Sequence, residues 1–126
     1  MIKILIAEDE TDIRELVAFS LTTLGGYEVV KAKNGAEAVE LAQQEEPDLI
    51  LMDVRMPHMT GYEACAKLKE IPETQNIPVA FLSAKGQEQE IQQGMSVGAE
   101  EYILKPFAPD VLLLKVQNLV KRLNLG

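Results

Sequence analysis

Five short apolar runs alternate along the chain with five stretches in which apolar and polar residues recur at helical spacing. The runs cover residues 2–7, 27–32, 49–52, 77–82 and 101–104. Apolar runs of this length bounded by turn signals predict strands. Residues 49–52, Leu-Ile-Leu-Met, are apolar without a break, as in a strand buried on both faces. The first helix is predicted from Ile13, Leu16, Val17, Leu21 and Leu24, which keep a 3.6-residue period up to Gly25 and Gly26. Asn34 and Gly35 mark the start of a second helix with Ala36, Val39 and Ala42 inward, ending before Pro47. A third spans about 60–69, with Tyr62, Ala66 and Leu68 as its apolar contributors, and Pro72 closes it. The fourth, 87–97, is weak because Gly94 costs about 1 kcal/mol relative to alanine; Gly98 suits its C-cap. The last runs over 110–123 with Leu112, Val116, Leu119 and Leu123 on one face. Strict strand–helix alternation predicts an α/β, doubly wound parallel sheet with helices on both faces. Neither a linker nor a repeat interrupts residues 1–126, so a single domain is expected.

Composition narrows the function more than the fold. Apolar content of 47% and charged content of 25% are ordinary for a soluble globular chain. A net charge of −8 disfavours nucleic-acid binding, which needs clustered Lys and Arg. No apolar run approaches the roughly 18 residues of a membrane helix, and the N-terminus turns acidic too soon for a signal peptide. The lone Cys65 points to a reducing, cytoplasmic setting and to a small core residue more than a reactive thiol. The final helix ends within a few residues of Gly126, so no effector domain is expected within this sequence, whether it acts alone or is cut from a longer protein.

Chemistry collects at the strand ends. Glu8 and Asp9 follow the first strand, Asp53 the third, Ser83 the fourth and Lys105 the fifth. Parallel strands bring their carboxyl ends to one edge, where ligands of open α/β sheets bind. Three carboxylates together repel one another unless a cation lies between them. Hard oxygen donors suit Mg²⁺, and a lysine and hydroxyl beside it suit a phosphoryl group. Each residue also has a plainer role. The acidic run Glu8-Asp9-Glu10 favours a helix start, Asp53 and Ser83 suit turns, and Lys105 suits a solvated strand end.

The set resembles the receiver domain of bacterial two-component response regulators over nearly the whole chain. The resemblance rests on Glu8-Asp9, on Asp53-Val-Arg-Met56-Pro57 with Gly61, on Ser83-Ala84, on Gly98-Ala-Glu-Glu-Tyr102 and on Lys105-Pro106-Phe107. It implies a flavodoxin-like fold of strand order 2-1-3-4-5, which flavodoxin and receiver domains themselves exemplify. It also implies that Asp53 accepts a phosphoryl group from a sensor histidine kinase or a phosphotransfer protein. Asp9, Asp53 and the Arg55 backbone carbonyl would bind Mg²⁺, with Mn²⁺ as a substitute, and Glu8 would act through a water. Lys105 would pair with Asp53 and then with the phosphoryl oxygens. Ser83 would hydrogen-bond the phosphoryl group, Ala84 would leave access to it, and Tyr102 would be the aromatic switch. The Lys105–Pro106 bond would be cis.

The chain departs from the common pattern at several positions. Glu8 stands where many members have Asp. Arg55 and Lys85, two residues beyond Asp53 and Ser83, flank the path of the attacking water in this family, and Arg55 is expected to slow self-dephosphorylation. The fourth helix, fifth strand and fifth helix form the usual output face toward an effector and a possible homodimer. There Glu101, Lys115 and Arg122 resemble part of the family's charged dimer network, whereas Ile91, Val97 and Val111 are apolar where charge is expected. Ile91 and Met95, one turn apart, would form a docking patch.

Three other functions fit parts of this pattern. A phosphatase with an aspartyl nucleophile needs a second acid where Arg55 stands. A nucleotide binder needs phosphate-binding donors where Glu8-Asp9-Glu10 lie. A degenerate receiver would dock partners without phosphorylation, yet every phosphorylation residue is present. His58, the only histidine, is expected to be a solvated loop residue.

Overall fold

Five strands form, β1 (Lys3–Ala7), β2 (Glu28–Ala32), β3 (Leu49–Asp53), β4 (Val79–Ser83) and β5 (Glu101–Leu104), in the computed structural model, which describes residues 1–84 and 88–125. They pair in parallel in the order β2-β1-β3-β4-β5. Between and after them lie α1 (Thr11–Phe19), α2 (Gly35–Glu45), α3 (Gly61–Glu70), α4 (Glu88–Ser96) and α5 (Pro109–Arg122). This is the doubly wound sheet expected from the alternation, in the flavodoxin-like order that the family resemblance implied.

The two-residue period of the strands divides the core in two. Leu5, Ile50, Met52 and Phe81 meet Val39, Ala42, Cys65 and Leu68 of α2 and α3. Their neighbours Ile4, Ile6, Leu51, Leu82 and Ile103 meet Val17 of α1 and Leu112, Val116 and Leu119 of α5. All five residues of β3 and all five of β4 are buried. Each such fully buried Leu or Ile contributes about 1.5–3 kcal/mol of transfer free energy.

Several expected positions move. The first helix does not run to Leu24 with an unbroken period; α1 ends at Phe19 and continues as a π-helical turn, Ser20–Leu24. There the Gly25 N–H donates to the Ser20 carbonyl five residues back, at 3.1 Å. Widening the turn shifts the phase of Leu24, which is left 57% exposed; Leu16, within α1 itself, is 44% exposed. In α2 the buried stripe is Ala38, Val39 and Ala42, and Ala36 is exposed. In α3 it is Ala64, Cys65 and Leu68, with Tyr62 and Ala66 only half-buried. β4 starts after Pro78, which has no N–H for the ladder, and at its other end includes Ser83, paired with Leu104 of β5. Gln87, the expected first residue of α4, lies outside the described residues. Gly98 takes the left-handed conformation at φ +101°, as its predicted capping role requires.

Candidate functional site

Strand register alone brings the site together. Ala7 lies opposite Met52, so the next residue, Glu8, falls level with Asp53. Asp53 in turn lies opposite Leu82, and Ser83 opposite Leu104, one step before Lys105. The Lys105 N–H donates to the Ser83 carbonyl at 2.7 Å and starts the departure from β5. The Lys105–Pro106 peptide is cis.

The loop beyond Asp53 is fixed by close packing. The Gly61 N–H donates to the Val54 carbonyl at 2.8 Å, and a Cβ on Gly61 would overlap the Asp53 carbonyl. Only glycine permits this approach. The next helix is then set by a capping box: Thr60 Oγ1 accepts from the Glu63 N–H at 3.1 Å while Glu63 Oε1 accepts from the Thr60 N–H at 3.0 Å. The hydrogen bond from the Thr60 N–H holds the Glu63 carboxyl below its ordinary pKa. His58 in this loop is exposed and left-handed at φ +71°.

Glu8 is fully buried and every polar group it has is engaged. Its N–H donates to the Ala32 carbonyl at 3.1 Å. Its carbonyl accepts from Arg14 Nη1 at 2.8 Å, and Oε2 accepts from the Glu10 N–H at 3.2 Å. Its Oε1 accepts from Lys105 Nζ at 2.6 Å, and the same ammonium reaches Asp53 Oδ1 at 3.2 Å. Lys105 therefore bridges two acids: the expected pairing with Asp53 is present, and the contact with Glu8 is the shorter. The extra methylene of glutamate gives the reach. Asp9 is exposed, and oxygens of Glu8, Asp9 and Asp53 lie within 4.8 Å of one another.

Burial governs the electrostatics. It pushes Glu8 up to about 7, against the opposing pull of the Lys105 hydrogen bond and with a further upward push from the Asp53 charge. Burial likewise raises Asp53 above the usual carboxylate range, again against Lys105. For Lys105 burial works against the charge, but the Glu8 hydrogen bond and the charges of Asp53 and Glu8 outweigh it and raise the ammonium. Three carboxylates facing one ammonium leave an excess of negative charge. Hard oxygen donors so arranged fit Mg²⁺.

The remaining expected residues stand around this centre. Ser83 is buried at the end of β4, next to exposed Ala84. Arg55 is exposed. Lys85 lies outside the described residues. Tyr102 is half-buried in β5, with its hydroxyl 3.2 Å from that of Tyr62. Cys65 is buried, its thiol pushed up to about 11 by burial, and so behaves as a core residue. Sequence reasoning missed Arg14, whose guanidinium ties down the Glu8 carbonyl, and the contact partners of Tyr102. Only Gly94, an odd residue inside a helix, signalled close packing there.

The fold is of the flavodoxin-like class, with an acidic, lysine-bridged cluster at the carboxyl edge of its 2-1-3-4-5 sheet. The family model of the response regulator receiver domain matches residues 4–117, and the chain belongs to that family. It is 40% identical over 123 residues to the phosphate regulon transcriptional regulatory protein PhoB of Pseudomonas aeruginosa, covering 98% of this chain and 53% of that protein. It is 38% identical over 122 residues to the transcriptional regulator RpaA of Synechocystis, covering 97% of this chain and 50% of that protein. The chain thus spans about half the length of the curated relatives it matches. Among solved structures it resembles Vibrio cholerae chemotaxis protein CheY4, with a TM-score of 0.88 and 36% identity over 94% of this chain and 98% of that one. Receiver domains of this family are phosphoacceptor switches of two-component signalling and bind Mg²⁺ in an acidic pocket. Among the described residues no helix is long and apolar enough to cross a membrane.

Proposed function

We propose that residues 1–126 act as one receiver domain that accepts a phosphoryl group on Asp53 in a Mg²⁺-dependent reaction. The observation that carries this is the shared Lys105 ammonium, 2.6 Å from Glu8 and 3.2 Å from Asp53, with Asp9 beside them. Asp9, Asp53 and the Arg55 carbonyl would hold the metal directly. Glu8 would act through water once Lys105 is drawn away from it. Bound there, Mg²⁺ supplies charge neutralisation for the incoming phosphoryl oxygens.

A carboxylate oxygen of Asp53 attacks phosphorus on a phosphohistidine, the P–N bond breaks as the P–O bond forms, and the imidazole leaves with the electron pair. A carboxylate is a weak nucleophile, so the domain contributes position and electrostatics. Lys105 exchanges its Glu8 and Asp53 oxygens for phosphoryl oxygens, and the Ser83 hydroxyl donates to another. Ala84 leaves the approach open. Hydrolysis by water regenerates the Asp53 carboxylate and releases inorganic phosphate, with Arg55 and Lys85 flanking that water's path. The domain catalyses only its own phosphorylation and dephosphorylation.

The phosphodonor would be a sensor histidine kinase or phosphotransfer protein in the cytoplasm. Contacts made only by the phosphorylated state would shift Tyr102 and the face formed by α4, β5 and α5 toward an effector or a second copy. Met95, Leu104 and Val111 are about half exposed on those elements. Glu101, Lys115 and Arg122 line one cleft there. Borohydride reduction after treatment with a small phosphodonor tests the assignment, because it converts an aspartyl phosphate to homoserine. Peptide mass mapping is expected to find homoserine at position 53; homoserine at position 9 instead would overturn the assignment.

A further inference from the structure

The helices that leave the carboxyl edge of the sheet begin in different ways. At α2, Asn34 Oδ1 accepts from the Glu37 N–H at 2.8 Å, and α3 opens with the Thr60–Glu63 capping box. Such caps satisfy an orphan N–H and fix how the chain enters its helix. At α1 the N-cap residue is Glu10, and its side chain makes no capping bond. Yet the two residues just before it, Glu8 and Asp9, supply two of the three clustered carboxylates.

Arg14 reaches back from α1 to this loop. It is half-buried, and its Nη1 donates to the Glu8 carbonyl at 2.8 Å and to the Asp9 carbonyl at 3.4 Å. Its Nη2 lies 3.5 Å from Thr11 Oγ1, and its backbone N–H donates to the Glu10 carbonyl at 2.9 Å. One residue thus engages the carbonyls of residues 8, 9 and 10 in succession. A guanidinium carries several donors in a rigid fork, which suits it to adjacent carbonyls. The two acids depend on this hold unequally. Glu8 is fully buried, and its carboxylate is also fixed by the Glu10 N–H and Lys105 Nζ. Asp9 is exposed, so the place of its carboxylate beside Asp53 follows the path of its backbone.

We propose that Arg14 is a positioning residue of the metal site, presetting the Asp9 carboxylate for Mg²⁺ by holding the Glu8 and Asp9 carbonyls in place of the missing helix cap. It acts through the backbone and touches none of the three carboxylates' partners in the site. Binding a cation to a loose carboxylate must first order its backbone, and Arg14 has already done so in the free protein. The guanidinium is itself positive, and as a bare charge near the site it would repel a cation. Positioning and repulsion therefore predict opposite signs when Arg14 is removed. The proposal rests on the reading that Mg²⁺ binds at Asp9 and Asp53.

The test compares the full-length wild type with Arg14→Met, which keeps an unbranched side chain and removes the donors. Two quantities are read by NMR with no phosphodonor present. The first is the Mg²⁺ dissociation constant, from titration of the backbone amide signals of residues 9 and 53. The second is amide hydrogen exchange in EDTA at Glu10, in the loop, and at Leu51, in the core of β3. Arg14→Met is expected to bind Mg²⁺ about tenfold more weakly, the cost of fixing the backbone of one residue on binding. Exchange at Glu10 should quicken while exchange at Leu51 stays the same, which a general loss of stability would not produce. Unchanged or tighter Mg²⁺ binding overturns the proposal, as does weaker binding with Glu10 exchange unchanged. A wild type whose amides do not respond to Mg²⁺ overturns the metal reading on which the proposal rests. The unfolding midpoint verifies that the variant is folded, and Arg14→Gln, likewise without the charged fork, replaces it if it is not.

Discussion

Glu8 and Asp53 share one ammonium, yet both remain harder to ionise than ordinary carboxyls, because burial outweighs the help that Lys105 gives. The consequence for stability has a definite sign. Between its ordinary pKa of 4.5 and its folded value of about 7, Glu8 binds more protons in the native state than in the unfolded chain. Its contribution to stability is therefore full below about pH 4.5 and is lost as pH rises through 7. Asp53 acts in the same direction. In EDTA, the unfolding free energy of the wild type is expected to fall across this window, and Glu8→Gln should flatten the slope. An equal slope in both, followed by urea denaturation, would show that Glu8 ionises as in water. Arg55 is expected to act on rate and not on stability: exposed in the loop after Asp53, it would shield an acyl phosphate from water. Arg55→Asn should speed decay of the phosphoprotein severalfold at unchanged unfolding midpoint, and an unchanged decay rate would contradict this. At this scale the identities of the strand-end residues were legible, because polar groups that end buried strands stand out. The preference of Lys105 for Glu8 was not, since it depends on one methylene and on the register of two strands far apart in sequence.

Elements were legible wherever the chain obeyed a single period. The strands and the order of helices came from apolar runs and breakers, and β5 occupies the expected residues. The inward faces of α1, α2 and α3 were not fully legible. Small residues such as Ala38, Ala64 and Cys65 fill the helix–sheet space, and alanines also stand on the neighbouring faces at Ala36 and Ala66, so the apolar pattern alone does not single out the buried stripe. The π-helical turn after Phe19 shifted the phase of Leu24 in a way no propensity records. Gly94 shows the reverse case, where local propensity and packing conflict. Alanine there would gain about 1 kcal/mol of helix propensity. It would also meet Phe81, which is fully buried and held by Tyr62 and Tyr102, at 3.0 Å. Overpacking of a closed site costs about 1–3 kcal/mol, so Gly94→Ala is expected to be net destabilising in chemical denaturation. A rise in stability would mean that α4 lifts freely from the sheet.

For the whole molecule, two cores divided by a parallel sheet leave one edge that carries the acidic site and one flank proposed for output. The flank formed by α4, β5 and α5 exposes Met95, Leu104 and Val111 beside the charged residues Glu101, Lys115 and Arg122. If this flank joins two copies on phosphorylation, the wild type treated with beryllofluoride and Mg²⁺ should elute as a dimer and Met95→Lys as a monomer. Dimers in both would place the interface elsewhere. Everything at this scale depends on Asp53 taking a phosphoryl group at a metal-assisted site. The direct measurement is intact mass after incubation with a small-molecule phosphodonor, in Mg²⁺ and in EDTA, for the wild type and Asp53→Asn. One added phosphoryl group in Mg²⁺ is expected for the wild type, with none in EDTA and none in the variant. A folded wild type that gains no mass, or an Asp53→Asn variant that gains as much, would contradict the account.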